Sequence, residues 1–199
     1  MSGCDCQIEI RNKEQHAVLI VLLGINAVMF VVEIVFGIIS ESTALIADSL
    51  DMLADATVYG VSLYAVGRLP AIKRRAAHIS GIFQIILGCL VLVDVSRRFI
   101  LGSEPDSMLM LLVGLAALIA NVVCLKLISK HRDGEIHMRA SWVFSKNDVI
   151  ANLGIIIAGA VVYLFDSRMP DLLIGSFVSL IVIKGGLRIV RDANKEASA

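Results

Sequence analysis

The sequence contains few of the residues with which a soluble protein of this size faces water or turns its chain. Charged residues make up 18%, there are three prolines and one tryptophan, and hydrophobic residues reach 57%. A typical soluble domain is about 45–50% apolar and about 25% charged. The net formal charge is zero, and no basic stripe interleaved with aromatics occurs. These shortages exclude a single soluble globule and argue against a nucleic-acid partner.

Cysteine is also scarce, with four residues in all. Cys89 and Cys124 lie in apolar stretches and are expected to pack as small hydrophobic side chains. Cys4 and Cys6 are too close for a good local disulfide, and nothing indicates a disulfide framework. With His16 they form a possible capture site for a soft metal, although a dispensable tail is the favoured interpretation.

The N-terminal segment is polar and lacks the apolar core of a signal peptide, so no cleavable signal peptide is expected.

Long apolar runs are what the chain has in abundance. There are six: Ala17–Ile39, Thr43–Gly67, Ala76–Ile100, Ser107–Ile128, Met138–Phe165, and Asp171 to about Ile189. Each can provide the roughly 20 residues that cross the hydrocarbon core as a helix, and the alternating pattern of a barrel is absent. The prediction is an all-α, six-helix polytopic membrane protein. Its membrane domain would span residues 17–191, with cytoplasmic tails at 1–16 and 192–199.

The basic residues of the loops predict the orientation of these spans. Fourteen of the eighteen would lie on one side: Arg11, Lys13, Arg68, Lys73, Arg74, Arg75, Lys126, Lys130, Arg132, Arg139, Lys184, Arg188, Arg191 and Lys195. Only Arg97, Arg98 and Arg168 would lie on the other side, and Lys146 falls inside a span. Both termini are therefore predicted to be cytoplasmic, which agrees with an even number of spans.

The second apolar run is unusual because it carries three acids, Asp48, Asp51 and Asp55. An ionised carboxylate near the centre of a bilayer costs at least ~2.5–3.5 kcal/mol. Their spacing of three and then four residues places all three on one face of a helix. We therefore expect these acids to face water, a cation or each other.

A second polar stripe runs along the fifth span: Ser141, Ser145, Asp148 and Asn152. Because lipid solvates neither stripe, the two are expected to face each other and to form a pocket of oxygen ligands near the middle of the membrane. Asp51 and Asp55 could hold one ion together, with Asp148 as a third carboxylate. Neighbouring carboxylates repel one another, so the empty pocket should keep a proton that a divalent cation displaces.

Two alternatives apply to these buried polar residues. The acids could instead form structural ion pairs with Lys146 or Lys184, although two lysines do not neutralise three or more acids.

On the first span, Asn26 and Glu33 share a face, being seven residues apart. Glu33 is predicted to relay protons or to support the ligands, with an interhelical hydrogen bond as an equal alternative.

The stretch NAVMFVVEIVFGIISESTALIADSLDMLAD, residues 26–55, resembles the start of the cation diffusion facilitator family. That family shows an Asn, a Glu seven residues later, a Gly, a Ser-x-Ala-Leu-x-Ala-Asp block and then an acidic or His–Asp pair four residues apart. Here Asp48 ends the block, Asp51 and Asp55 form the pair, and NDVIANLGIII places the fifth-helix acid at Asp148. The resemblance extends over all six spans in order. It implies a homodimeric exporter of divalent transition metals, commonly zinc, driven by inward proton flow.

The sequence departs from the family pattern in two places. Phe144 stands where the family has a His four residues before Asp148. The site is then all-oxygen, completed by Asn147, Asn152 or a backbone carbonyl, and would favour Mn, Fe(II) or Co relative to a site with imidazole. The chain also resembles short members that consist of the membrane domain alone. Dimerisation is then expected to rest on the spans, with Gly81 and Gly88 of the third as one candidate face and the loop between the fourth and fifth as another.

The predicted function is secondary active efflux of Zn, Cd, Co, Mn or Fe(II) in exchange for protons, without a prosthetic group. The predicted host is a bacterial plasma membrane. An intramembrane aspartyl protease is the enzyme alternative, but the Tyr-Asp and Gly-x-Gly-Asp motifs that such enzymes share are absent. A second alternative is a regulator or assembly subunit that kept the fold without transporting.

Overall fold

The computed structural model describes residues 3–65, 70–130 and 136–198 and places nearly all of them in six α-helices. The helices are α1 (Gly3–Ile39), α2 (Thr43–Ala65), α3 (Pro70–Leu101), α4 (Ser107–Ser129), α5 (Ile136–Phe165) and α6 (Met169–Ser198). The described part of the chain contains no strand. The predicted all-α bundle is thereby confirmed. Several helices extend beyond the apolar runs from which they were predicted.

Five of the helices are long and apolar enough to cross a membrane. The qualifying stretches are His16–Ile39, His78–Leu101, Ser107–Ser129, Ser145–Phe165 and Met169–Arg191. The remaining helix, α2, is 23 residues long but carries the three aspartates. It contacts every other helix, so the surrounding helices shield its acids from lipid. The chain is a multi-pass integral membrane protein.

The most extensive helix pairings join α3 to α6, α1 to α2, and α4 to α5. Glycines allow the first of these pairs to approach closely. A Cβ atom added to Gly81 would lie 2.9 Å from the carbonyl oxygen of Gly186, and one added to Gly88 would lie 2.6 Å from Ile183. The prediction that Gly81 and Gly88 form a dimer face is therefore wrong, because both glycines already face α6 of the same chain.

Replacing Gly186 with alanine should destabilise the bundle. The new Cβ would lie 2.7 Å from the carbonyl oxygen of Gly81, and since backbone does not move aside cheaply, overpacking of this kind costs about 1–3 kcal/mol. We expect the thermal midpoint of the detergent-purified protein to fall by about 5 °C. Gly24→Ala is the matched control, because a Cβ there meets nothing within 4 Å. An equal midpoint for both variants would contradict this account of the helix pair.

The turn between α1 and α2 is held by the neighbouring helices. Glu41 adopts a left-handed conformation with φ of 50°, and Arg98 Nη1 donates to its carbonyl oxygen at 2.6 Å. Arg98 Nε also donates to Asp94 at 2.6 Å, and the amide of Asp106 donates to the carbonyl of Ser40 at 2.9 Å. These contacts fix the end of the bundle at which α2 begins.

Asp171, in the first turn of α6, fastens the N-terminus of α2. Its fully buried carboxylate accepts four hydrogen bonds: from Ser42 Oγ (2.5 Å), Thr43 N (2.8 Å), Thr43 Oγ1 (2.6 Å) and Ala44 N (3.0 Å). A Cβ added to Gly175, one turn later, would lie 2.9 Å from the Thr43 backbone. This contact fixes the position of α2 along its own axis relative to α6. It thereby also fixes the depth of the α2 acids within the bundle.

Candidate functional site

The structure brings the polar stripes of α2 and α5 together at Asp55 and Asp148. The two carboxyl groups are near enough to influence each other electrostatically, and both are buried, with relative exposures of 9% and 7%. Asp51 is one turn from Asp55 and within electrostatic range of both acids. Two ionised carboxylates at such a separation repel each other, so the pair requires a shared proton or a cation between its oxygens.

Two side chains that the sequence did not point to complete the surroundings of this pair. Tyr59 Oη donates to Asp55 Oδ2 at 3.3 Å and is buried beside Ser145. Cys124 of α4 is buried in the same hydrophobic cluster as Tyr59 and lies within electrostatic range of Asp55 and Asp148. The position of Tyr59 one turn after Asp55 was a usable signal, whereas nothing in the sequence separated Cys124 from an ordinary core residue.

A second polar group lies further toward the start of α2. It consists of Glu33 on α1, Asp48 on α2 and Asn152 on α5, all with relative exposures of 1% or less. Asp48 neighbours both of the other side chains. The four carboxylate oxygens and Asn152 Oδ1 have no hydrogen-bond partner among the described residues. The helix pitch places Asp48 about 10 Å from Asp55 along the axis of α2.

The other predicted ligands lie apart from these two groups. Asn147 is exposed, because it precedes the buried Asp148 by one residue on the helix. Asn26 is buried, donating through Nδ2 to the carbonyl of Leu22 at 2.8 Å and touching Cys124 Sγ at 4.0 Å.

The structure describes little of the predicted N-terminal capture site and of Phe144. His16 is exposed at its position on α1. The side chains of Cys4, Cys6 and Phe144 lie outside the described ones. The predicted capture site of two cysteines and a histidine therefore stays a prediction.

The ion-pair alternative finds no support around the acids. Lys146 and Lys184 are both exposed, and the ammonium of Lys146 lies 5.9 Å from the centre of the Trp142 ring. The ion pairs seen between described residues join Asp94 to Arg97 and Arg98 at the far end of α3. Charge on the buried acids is thus left for protons or cations to balance.

The acids form a row and not a closed cage. No three His, Cys, Asp or Glu side chains in the described part of the chain converge tightly enough to hold one ion. Binding through Asp51, Asp55 and Asp148 would therefore require α5 to close further on α2. These two helices share only a small direct contact, which leaves room for such a movement.

Comparison with known proteins finds relatives over most of the chain. The zinc transporter ZitB of Escherichia coli (strain K12) is 26% identical over 193 residues, covering 89% of this chain and 61% of ZitB. The metal cation efflux system protein CzcD of Cupriavidus metallidurans is 24% identical over 193 residues, covering 86% and 60%. The vacuolar zinc transporter ZRC1 of Saccharomyces cerevisiae is 38% identical over 133 residues, covering 60% and 30%.

The chain therefore spans about three fifths of the length of its bacterial relatives. The matched part is a membrane domain, since residues 19–196 fit the family model of the cation efflux transmembrane domain. This agrees with the resemblance found in the first two helices and in α5. Because the match covers most of the sequence, the chain belongs to the cation efflux family, the cation diffusion facilitators.

Proposed function

We propose that the protein moves divalent transition-metal cations out across a membrane in exchange for protons. Asp51, Asp55 and Asp148 bind the ion. The observation that carries this proposal is that α2 and α5 bring two buried carboxyl groups, Asp55 and Asp148, near each other. Two neighbouring buried carboxyl groups, for which the described residues offer no basic partner, form a place where a cation and a proton compete.

The names of the relatives support the class of substrate. ZitB and ZRC1 are zinc transporters and CzcD is a metal cation efflux protein. Zn, Cd, Co, Mn and Fe(II) all remain candidates here, because the three carboxylates are oxygen donors while Cys124 brings a soft sulfur donor into the same region. Both asparagines are left out of the proposed ligand set, because Asn147 is exposed and Asn152 lies beside Asp48.

The packing of the helices supports alternating access. Asp171 fastens the first turn of α2 to α6, while α4 and α5 pair extensively with each other. Movement of the α4–α5 pair carries Asp148 toward or away from Asp55. In the closed arrangement the carboxylates surround the metal ion, and in the open one they take up protons and release it.

We also propose a homodimer in a bacterial plasma membrane. The bacterial origin of ZitB and CzcD favours this location, and the family resemblance favours the dimer. Since α6 covers the glycine face of α3, the partner would contact another surface of the spans.

Membership of a cation efflux family confirms the prediction that the chain is of a transporter family and not of an enzyme family. The rival that remains is a regulator that kept the fold without transporting. Phe144 in place of the family's histidine is the observation that favours this rival.

The test uses purified protein in liposomes that contain a pH-sensitive dye. Zn²⁺, Cd²⁺, Co²⁺, Mn²⁺ and Fe²⁺ are added one at a time outside, with protein-free liposomes and Asp51→Ala as controls. We expect at least one metal to change the internal pH with wild-type protein only. If folded wild-type protein gives no signal with any of the five metals, the transporter proposal fails and the regulator is favoured.

A further inference from the structure

The group formed by Glu33, Asp48 and Asn152 is not used by the proposed function. It joins three helices, since the residues come from α1, α2 and α5. Glu33 and Asn152 have no exposed surface and Asp48 has 1%. A carboxyl pair and an amide have thus been removed from water completely.

These three side chains hold five buried acceptor oxygens that lack a partner among the described residues. Both oxygens of Glu33, both oxygens of Asp48 and Asn152 Oδ1 have no hydrogen-bond partner in the described part of the chain. Asn152 Nδ2 donates one hydrogen bond to the carbonyl of Asp148 at 2.9 Å, and the amide lies beside Asp48. Its Oδ1 has no partner among the described residues. Buried polar atoms without partners are rare in native proteins, so five neighbouring acceptors indicate an occupant that carries positive charge.

Within the described part of the chain, no basic side chain pairs with these acids. Lys146 and Lys184 are exposed, and Arg98 is engaged with Asp94 and with the carbonyl of Glu41. A single proton shared by Glu33 and Asp48 would serve one pair of oxygens and leave three acceptors without a donor. A divalent cation takes oxygens from several side chains at once, and carboxylate and amide oxygens are ligands for such ions.

The position of the group fits a path through the bundle. Asp48 lies seven residues before Asp55, about 10 Å along α2, toward the turn that joins α1 to α2. That turn is at the opposite end of the bundle from the two termini, because α1 and α6 each cross it once. An ion leaving the Asp55–Asp148 pair toward that end would pass this group.

We propose that Glu33, Asp48 and Asn152 form a second subsite for a divalent metal ion. It receives the ion from the Asp55–Asp148 pair on the way to the end of the bundle at which α2 begins. This proposal rests on the proposed function for the direction of travel, but binding of the second ion does not depend on it.

The test counts the metal ions bound per chain. The purified full chain is dialysed to equilibrium against Zn²⁺ and, separately, against Mn²⁺, and bound metal is measured by mass spectrometry. We expect Glu33→Gln to bind one ion fewer per chain than wild type with at least one of the two metals. Asp55→Asn should also lose one ion, and the double variant two. Comparing variants removes the contribution of any other metal-binding group, such as Cys4 and Cys6.

The matched control is Glu104→Gln, the same substitution at an exposed loop position, which should bind as many ions as wild type. Asp48→Asn, on a different helix, should repeat the loss seen with Glu33→Gln, so misfolding of one variant leaves the test intact. The proposal is overturned if neither variant loses an ion with either metal. It is also overturned if both release fewer protons on metal addition while the ion count stays at the wild-type value. Loss of an ion in Glu33→Gln but not in Asp55→Asn would support this subsite and refute the proposed main site.

Discussion

Asp148→Asn should abolish metal transport while leaving the protein folded. The amide has nearly the volume of the carboxyl group but carries no charge, so Asp55 loses the carboxylate with which it would share the ion. An ion that loses one of its charged ligands should bind about 100-fold more weakly, which corresponds to about 2.8 kcal/mol of binding free energy. The measurement is the rate of metal-dependent proton movement in liposomes over a range of metal concentrations.

The double variant gives the sharper result. If Asp55 and Asp148 act on one ion, Asp55→Asn alone should cost about as much as Asp148→Asn, and the two together no more than either. Asp106→Asn serves as the control, because Asn caps a helix as well as Asp does and Asp106 caps α4 through Leu109 N. Full transport by either single variant would refute the proposed ligand set. Losses that simply add would show that the two acids act separately.

The polar face of α2 could be predicted because it depends only on local geometry. A spacing of three and four residues keeps Asp48, Asp51 and Asp55 together in any α-helix. The same periodicity placed Asn152 on the face of Asp148, and it separates Asn147 from that face by one helical step. The structure indeed exposes Asn147 and buries Asn152.

Contacts made by helices distant in sequence were beyond such reasoning. Cys124 was expected to be ordinary core, and only the packing of α4 beside α2 and α5 brings its sulfur near the acids. Gly81 and Gly88 indicated a close helix contact, yet a single sequence does not say whether the partner helix belongs to the same chain. The structure identifies it as α6.

Helix ends were also missed, for a different reason. Apolar runs mark the part of a helix that meets lipid, and polar turns beyond the membrane give no such signal. Thus α1 begins at Gly3 and not at Ala17, and α6 continues to Ser198. At the start of α3 a signal was present, since Pro70 is favoured in the first turn of a helix.

Asp171 shows the limit of reading one helix at a time. In sequence it is an acid in the first turn of α6, where it would favour its own helix dipole. In the structure it accepts the first two amide hydrogens of α2 and two hydroxyl hydrogens. The N-terminus of a helix leaves such amides without intrahelical partners, and here a distant helix supplies the acceptor.

Asp171→Ala should therefore destabilise the protein strongly. It removes four charge-assisted hydrogen bonds and leaves the amides of Thr43 and Ala44 buried without an acceptor, for a combined cost of about 3–5 kcal/mol. We expect the thermal midpoint of the detergent-purified protein, followed by circular dichroism, to fall by about 10 °C. Because α2 would lose its fixed height against α6, the apparent metal affinity in liposomes should fall as well.

The comparison with Asp106→Ala distinguishes the contact of Asp171 with α2 from an ordinary helix cap. Asp106 accepts one hydrogen bond, from Leu109 N at 3.0 Å within its own helix, so its loss should cost about 1 kcal/mol and leave metal affinity unchanged. Asp171→Asn, which keeps one side-chain acceptor, should fall between wild type and Asp171→Ala in thermal midpoint. If Asp171→Ala and Asp106→Ala are equally stable and bind metal equally well, Asp171 does not hold α2 in place. If only the affinity falls, Asp171 positions the acids of α2 without carrying the stability of the bundle.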